Sequence, residues 1–243
     1  MPDPVLQVDR VTAGYVPDLP ILREVSLTAH AAQTTLIIGP NGAGKSTLIK
    51  AIAGLVPITA GRVRFNGADM TGLPTDQLAA RGIAYVPQTD NIFRSLTIRQ
   101  NLDLVLRRAG AAAAERRAAL YAQFPALADK QKDKAGTLSG GQRQFLAVAM
   151  ALATNPQLIL MDEPSAGLSP KAAQEVLEHT RALTEQGVSI LLVEQNVKQA
   201  MRMADHCFIL AEGRNQVDGT AQDLMNDKVV GEIYLGARRM GAA

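Results

Sequence analysis

The run GPNGAGKS, residues 39–46, constrains this chain more than any other stretch. It follows the apolar run TTLII and leads into STLIKAIAGL, whose apolar residues recur with a helical period. The pattern G-x-x-x-x-G-K-S/T between a strand and a helix is a phosphate cradle. Its glycines let backbone N–H groups turn inward on an anion, and the helix N-terminus adds its positive end. Gly39, Pro40, Asn41, Gly42, Ala43, Gly44, Lys45, Ser46 and Thr47 make up this candidate nucleotide-binding segment. Lys45 is placed to reach the β- and γ-phosphates, and the Ser46 hydroxyl to ligate Mg²⁺. A Gly-rich turn that only happens to precede Lys-Ser would not require the flanking strand and helix.

A strand that feeds a helix through such a loop belongs in a largely parallel sheet, and the rest of the chain alternates accordingly. Residues 34–38, 82–86, 158–161 and 189–193 read as strands; 45–55, 142–153, 171–185 and 197–204 read as helices. The first thirty residues differ: VLQVDRVTAGY and ILREVSLTA alternate as antiparallel strands do. Between them and the later core, TIRQNLDLVLRRAG and AAAAERRAALYAQF are helical, Ala-rich and carry Arg107, Arg108, Arg116 and Arg117. These arginines fit a solvated helix face or a grip on a membrane partner. Residues 221–235 read as two short helices. The expected fold class is α/β: a P-loop NTPase with a mainly parallel core sheet, an N-terminal antiparallel β-subdomain and an α-helical subdomain inserted at about residues 89–140. A single domain over residues 4–238 is expected.

Composition narrows the partners. A net charge of +2 over 243 residues offers no basic footprint for nucleic acid, and an aromatic content of 4% without Trp offers no base-stacking platform. The longest wholly apolar run, 145–153, is too short to span a membrane, and MPDPVLQVDR lacks the pattern of a secretory signal. Cys207 is the sole cysteine, so no internal disulfide can form. A cytosolic location is expected.

LILMDEP, residues 158–164, supplies the carboxylates that a nucleotide site needs. Asp162 and Glu163 follow an apolar strand, and ligands bind beyond the carboxyl ends of parallel strands. Asp162 is the candidate to hold Mg²⁺ through its water shell, and Glu163 to polarise the attacking water. Alternatively, Asp-Glu-Pro could simply cap the next helix.

LSGGQ at 138–142, followed by RQFLAVAMALATNP and then LILMDEP, resembles the signature region of the ATP-binding cassette (ABC) family; the likeness extends from about Val5 to Leu235. Physically, Ser139, Gly140 and Gly141 open a helix, so their N–H groups and the hydroxyl form a second anion site, and the resemblance adds Gln142 to it. The resemblance implies that two cassettes pair head to tail, each ATP lying between one chain's Lys45 loop and the other's Ser139. It also implies that Tyr15 stacks on adenine, and that Gln88 joins Mg²⁺ and faces the membrane subunits. Residues 165–170 (SAGLSP) fall where the family's dimer-contact loop runs, with Ser169 where many members have Asp.

SILLVEQNVKQA places Gln195 where most cassettes have His. Histidine can carry a proton near neutral pH, whereas glutamine donates a hydrogen bond and stays neutral. Gln195 is therefore expected to position the γ-phosphate without acid–base work, or else to cap the helix beginning near Asn196. His30, His179 and His206 do not take its place; His206 opens the strand HCFILA. LLVEQN, VPQTDNIFRSLTIRQNL and DEPSAGLSP together look like the ATP-binding subunit of branched-chain amino-acid importers, with urea and short-chain amide importers as close relatives. That resemblance implies ATP and Mg²⁺ as cofactors. It implies transmembrane permease subunits, a second cassette (in a heterodimer or a homodimer) and, indirectly, a periplasmic solute-binding protein as partners. The cytoplasmic face of the cell membrane is the implied location. The alternative is a soluble ABC ATPase acting on a cytosolic assembly.

Overall fold

The computed structural model of the chain describes residues 4–16, 18–227 and 230, without the Arg108 side chain. In chain order, β1 (Pro4–Ala13), β2 (Leu22–His30), β3 (Thr34–Ile38), α1 (Lys45–Ile52), β4 (Ile58–Phe65), β5 (Ala68–Asp69), α2 (Thr75–Ala80) and β6 (Ile83–Val86) come first. The helical block α3 (Ile98–Leu106), α4 (Ala113–Gln123) and α5 (Pro125–Ala128) follows. The chain then runs through α6 (Gly140–Leu152), β7 (Leu158–Asp162), α7 (Pro170–Glu185), β8 (Ser189–Val193), α8 (Val197–Met201), β9 (His206–Ala211), β10 (Arg214–Thr220) and α9 (Ala221–Asn226).

The strands form a 4-stranded sheet ordered β2-β1-β4-β5 and a 6-stranded sheet ordered β10-β9-β3-β8-β7-β6. The first is antiparallel; in the second only the edge pair β9–β10 is antiparallel. The core strands are buried along their whole length, as a sheet covered on both faces requires. Side-chain alternation splits them between two apolar layers. Leu36, Ile38, Ile159, Met161, Ile190 and Leu192 face the layer shared with α3 and α6. Ile37, Leu158, Leu160, Leu191 and Val193 face the layer shared with α1 and the antiparallel sheet.

The expected fold class is the one observed. The core strands lie within a residue of their expected ends, but some helices are shorter. α1 stops at Ile52 rather than 55, because Ala53 closes it and Gly54 leaves with φ 73. α8 stops at Met201 rather than 204, where Met203 N–H bonds back to the Ala200 carbonyl (3.0 Å) and the chain turns. β4 had no counterpart in the sequence pattern; only Val63 and Phe65 of its residues are buried. α9 is the first of the two short helices expected at 221–235, and the second falls outside the described residues. Arg117 is paired with Asp103 (2.5 Å), whereas Arg116 donates to the neutral Ala153 carbonyl (3.4 Å). Among the described residues no helix is long and apolar enough to cross a membrane.

Candidate active site

β3, β8, β7 and β6 lie side by side and parallel, so each releases its loop at the same sheet edge. Register makes the convergence close: Ile37 pairs with Val193, and Val193 with Asp162. The loops that leave there carry Gly39–Ser46 after β3, Gln195 after β8, Glu163 after β7 and Gln88 after β6. Sequence-distant residues thus meet because parallel strands share a polarity.

A cleft of about 330 Å³ opens at this edge, lined by the loop from Asn41 to Thr47 together with Ile21, Glu163 and Gln195. Gly44 caps α1 with φ 97, and no side chain caps that helix, leaving its first N–H groups to face an anion. Lys45 is buried; its Nζ donates to the carbonyls of Gly39 (2.9 Å) and Pro40 (3.1 Å). Burial lowers its pKa, and the carboxylates of Glu163 and Asp162 act in the opposite direction. A phosphate could take the place of those two carbonyls as its partner.

Ser46 Oγ donates to Asp162 Oδ1 at 2.9 Å. Asp162 is 2% exposed, and burial raises its pKa against the opposing Ser46 bond. One hydroxyl and one carboxylate suit Mg²⁺, which usually takes few protein ligands and fills its shell with phosphate oxygens and water. The donor set therefore fits the ion.

Glu163 is 5% exposed and sits at φ 49, the left-handed region that a non-glycine residue occupies only when its surroundings enforce it. Its N–H donates to the Val193 carbonyl (2.9 Å). Two amides hold its carboxylate: Gln88 Nε2 donates to Oε2 (2.9 Å), and Gln195 Nε2 reaches Oε1 (2.9 Å) and Oε2 (2.7 Å). Gln195 is not the helix cap; Asn196 is, its Oδ1 accepting from Gln199 N–H (3.4 Å).

Other expected site residues stand apart. Tyr15 is 58% exposed and does not line the cleft, although Ile21 from the same β1–β2 connection does. Ser139 caps α6 in a capping box with Gln142, whose side chain accepts from the Ser139 N–H (3.1 Å). None of Ser139, Gly140, Gly141 and Gln142 reaches the Lys45 cleft within the chain. Ser169 Oγ caps α7 by accepting from Ala172 N–H (3.4 Å), a local role. Glu194, which the sequence marks only as part of a polar hinge after an apolar strand, is buried, and its carboxylate accepts from the N–H and the hydroxyl of Ser165.

Comparison with known proteins agrees with this geometry. The family model described as "ABC transporter" matches residues 22–166. The chain is 40% identical over 235 residues to a probable branched-chain amino acid transport ATP-binding protein LivF of Archaeoglobus fulgidus, covering 96% of this chain and 99% of the relative. It is 34% identical over 238 residues to the high-affinity branched-chain amino acid transport ATP-binding protein BraG of Pseudomonas aeruginosa, covering 96% and 100%. The lipopolysaccharide export system ATP-binding protein LptB of Escherichia coli is 34% identical over 221 residues, covering 89% of this chain and 91% of LptB. Among solved structures, the ADP conformation of an ABC-transporter ATP-binding cassette superposes with a TM-score of 0.84 at 30% identity, covering 96% of this chain and 99% of the other. With a phosphate cradle and paired acids at one sheet edge, this chain belongs to the ABC transporter family, as an ATP-hydrolysing, ATP-binding subunit.

Proposed function

We propose that this chain drives import of branched-chain amino acids from the cytoplasmic face of the cell membrane, together with permease subunits and a second cassette. The supporting observation is the near full-length likeness to LivF and BraG, which exceeds that to the exporter subunit LptB in coverage. Lys45 and the N–H groups at the start of α1 bind the triphosphate, and Tyr15 stacks on the base. Ser46 and Asp162 hold Mg²⁺, which when bound neutralises phosphate charge. Glu163 orients the attacking water, and Gln195 positions the γ-phosphate. Gln88, the residue nearest the helical insert, carries the change at the site towards the permeases. Because Ser139 and its glycines stand away from the Lys45 cleft in one chain, they serve the ATP held by the paired cassette. A partner with His at the position of Gln195 would make the two ATP sites unequal.

The test is reconstitution of this chain in vesicles with its second cassette, permease subunits and periplasmic binding protein. ATP turnover and solute uptake are then measured with leucine, valine, urea or a short-chain amide outside. Stimulation by leucine and valine supports the reading. Stimulation by urea or the amide alone would move the substrate assignment, and failure to join any permease would remove the importer altogether.

A further inference from the structure

Glu194 directly follows the last residue of β8, is 1% exposed, and has no cationic partner within ion-pair distance among the described residues. An ionised carboxylate in such a place is costly unless hydrogen bonds satisfy it. Three donors do so. Oε1 accepts from Ser165 N–H (2.9 Å), and Oε2 from Ser165 Oγ (2.8 Å) and from the N–H of Gln195 (3.2 Å). Burial nonetheless raises its pKa. A neutral residue could fill this turn without that cost, so the arrangement needs another explanation.

The bonds join two turns that bracket the proposed water-orienting group. Ser165 is two residues beyond Glu163, in the loop that leaves β7; Gln195 is the second residue of the loop that leaves β8. Glu163 itself is held at φ 49 and tied by its N–H to the Val193 carbonyl. The Gln195 backbone N–H is held by Glu194, and from that anchored backbone its amide nitrogen lies across the Glu163 carboxylate.

We propose that Glu194 is a positioning residue for ATP hydrolysis, its carboxylate locking Ser165 to the Gln195 backbone so that the Gln195 amide stays on Glu163. This deepens the site reading given above and rests on it. Ser165 also opens the loop of residues 165–169. A displacement of that loop by a second cassette therefore reaches Gln195 through one carboxylate, without passing through the nucleotide.

The experiment uses the reconstituted assembly carrying Glu194→Ala, Ser165→Ala, Ser165→Thr or the double Glu194→Ala/Ser165→Ala substitution. Turnover, ATP affinity and melting temperature are measured for each. Glu194→Ala is expected to lower kcat about tenfold, with ATP affinity within about twofold of the unsubstituted chain. Ser165→Ala is expected to lower kcat about threefold, and Ser165→Thr, which keeps the hydroxyl, to restore it. The double variant should be no slower than Glu194→Ala alone, since both changes break one network. Variants that melt earlier yet keep kcat within about twofold would reduce Glu194 to a structural residue and overturn the proposal, as would fully multiplicative losses. If Glu194→Ala does not fold, Ser165→Ala decides: unchanged kcat overturns the proposal, and a loss rescued by Thr supports it. An unsubstituted assembly that hydrolyses no ATP would instead defeat the functional reading beneath it.

Discussion

The amide nitrogen of Gln195 lies 2.9 and 2.7 Å from the two carboxylate oxygens of Glu163, so a neutral donor spans that carboxylate. Gln195→Ala removes this donor and leaves Gln88 as the other amide on Glu163. The expected result is about a tenfold loss of kcat with ATP affinity retained. Gln195→His should recover part of the rate and introduce an acid limb into the pH–rate profile near the ordinary histidine value of about 6.5, because protonation changes the ring's donor pattern. Steady-state phosphate release across pH measures both; full activity in the Ala variant would leave the bond without consequence.

Glu163 is the acid nearest the cleft that two amides orient. Glu163→Gln keeps its shape and removes its charge. Turnover should fall by about 10²–10⁴-fold, in the range of general-base catalysis, while ATP still binds. Light scattering or gel filtration with ATP and magnesium then reads association of this variant with its sibling cassette. Failure of the pair to associate under those conditions would contradict closure around nucleotide.

The cradle glycines differ in what they tolerate. A Cβ at Gly39 would lie 2.0 Å from the Leu210 carbonyl oxygen, a backbone atom that cannot swing away, whereas a Cβ at Gly42 meets nothing within 4 Å. Gly42→Ala bears only the cost of its positive φ, about 1–2 kcal/mol. Gly39→Ala must also displace β9, so its melting temperature should fall well below that of Gly42→Ala. Parallel thermal melts of the two variants make the comparison, and equal losses would contradict the packing described.

His179 on α7 packs between Phe124 and Phe145, with ring centroids 4.6 and 5.4 Å away. Its Nε2 is buried without a hydrogen bond, and desolvation lowers its pKa. The unfolded chain therefore takes up the proton first as pH falls, and the folded state loses stability from about pH 6.5 downward. His179→Leu should flatten that acid-side loss. Denaturant midpoints at several pH values test this; an unchanged slope would show that other groups govern the acid limb.

Much of the architecture was legible in local patterns. The loop 39–46 announced itself because its glycines and Lys45 are contiguous, and the apolar runs 158–161 and 189–193 because they are buried on both faces. β4 was not legible, since an edge-like stretch with two inward residues carries almost no periodic signal. α8 and α1 ended early where backbone turns took over from side-chain pattern. Among site residues, Asp162 and Glu163 could be named from their place at a strand end. Glu194 could not: in sequence it is one polar residue after an apolar run, with nothing to mark it as buried.

Contiguous chemistry pointed to the candidate groups for a triphosphate site: a glycine loop, a lysine, a hydroxyl and a pair of acids. Which of them touch one another was decided only by folding. Parallel register brings Asp162 level with Val193 and Ile37, and so sets Gln88, Glu163 and Gln195 within hydrogen-bonding reach across gaps of 75 and 32 residues. Sheet hydrogen bonding between distant segments fixes those distances, and a linear pattern holds no measure of them.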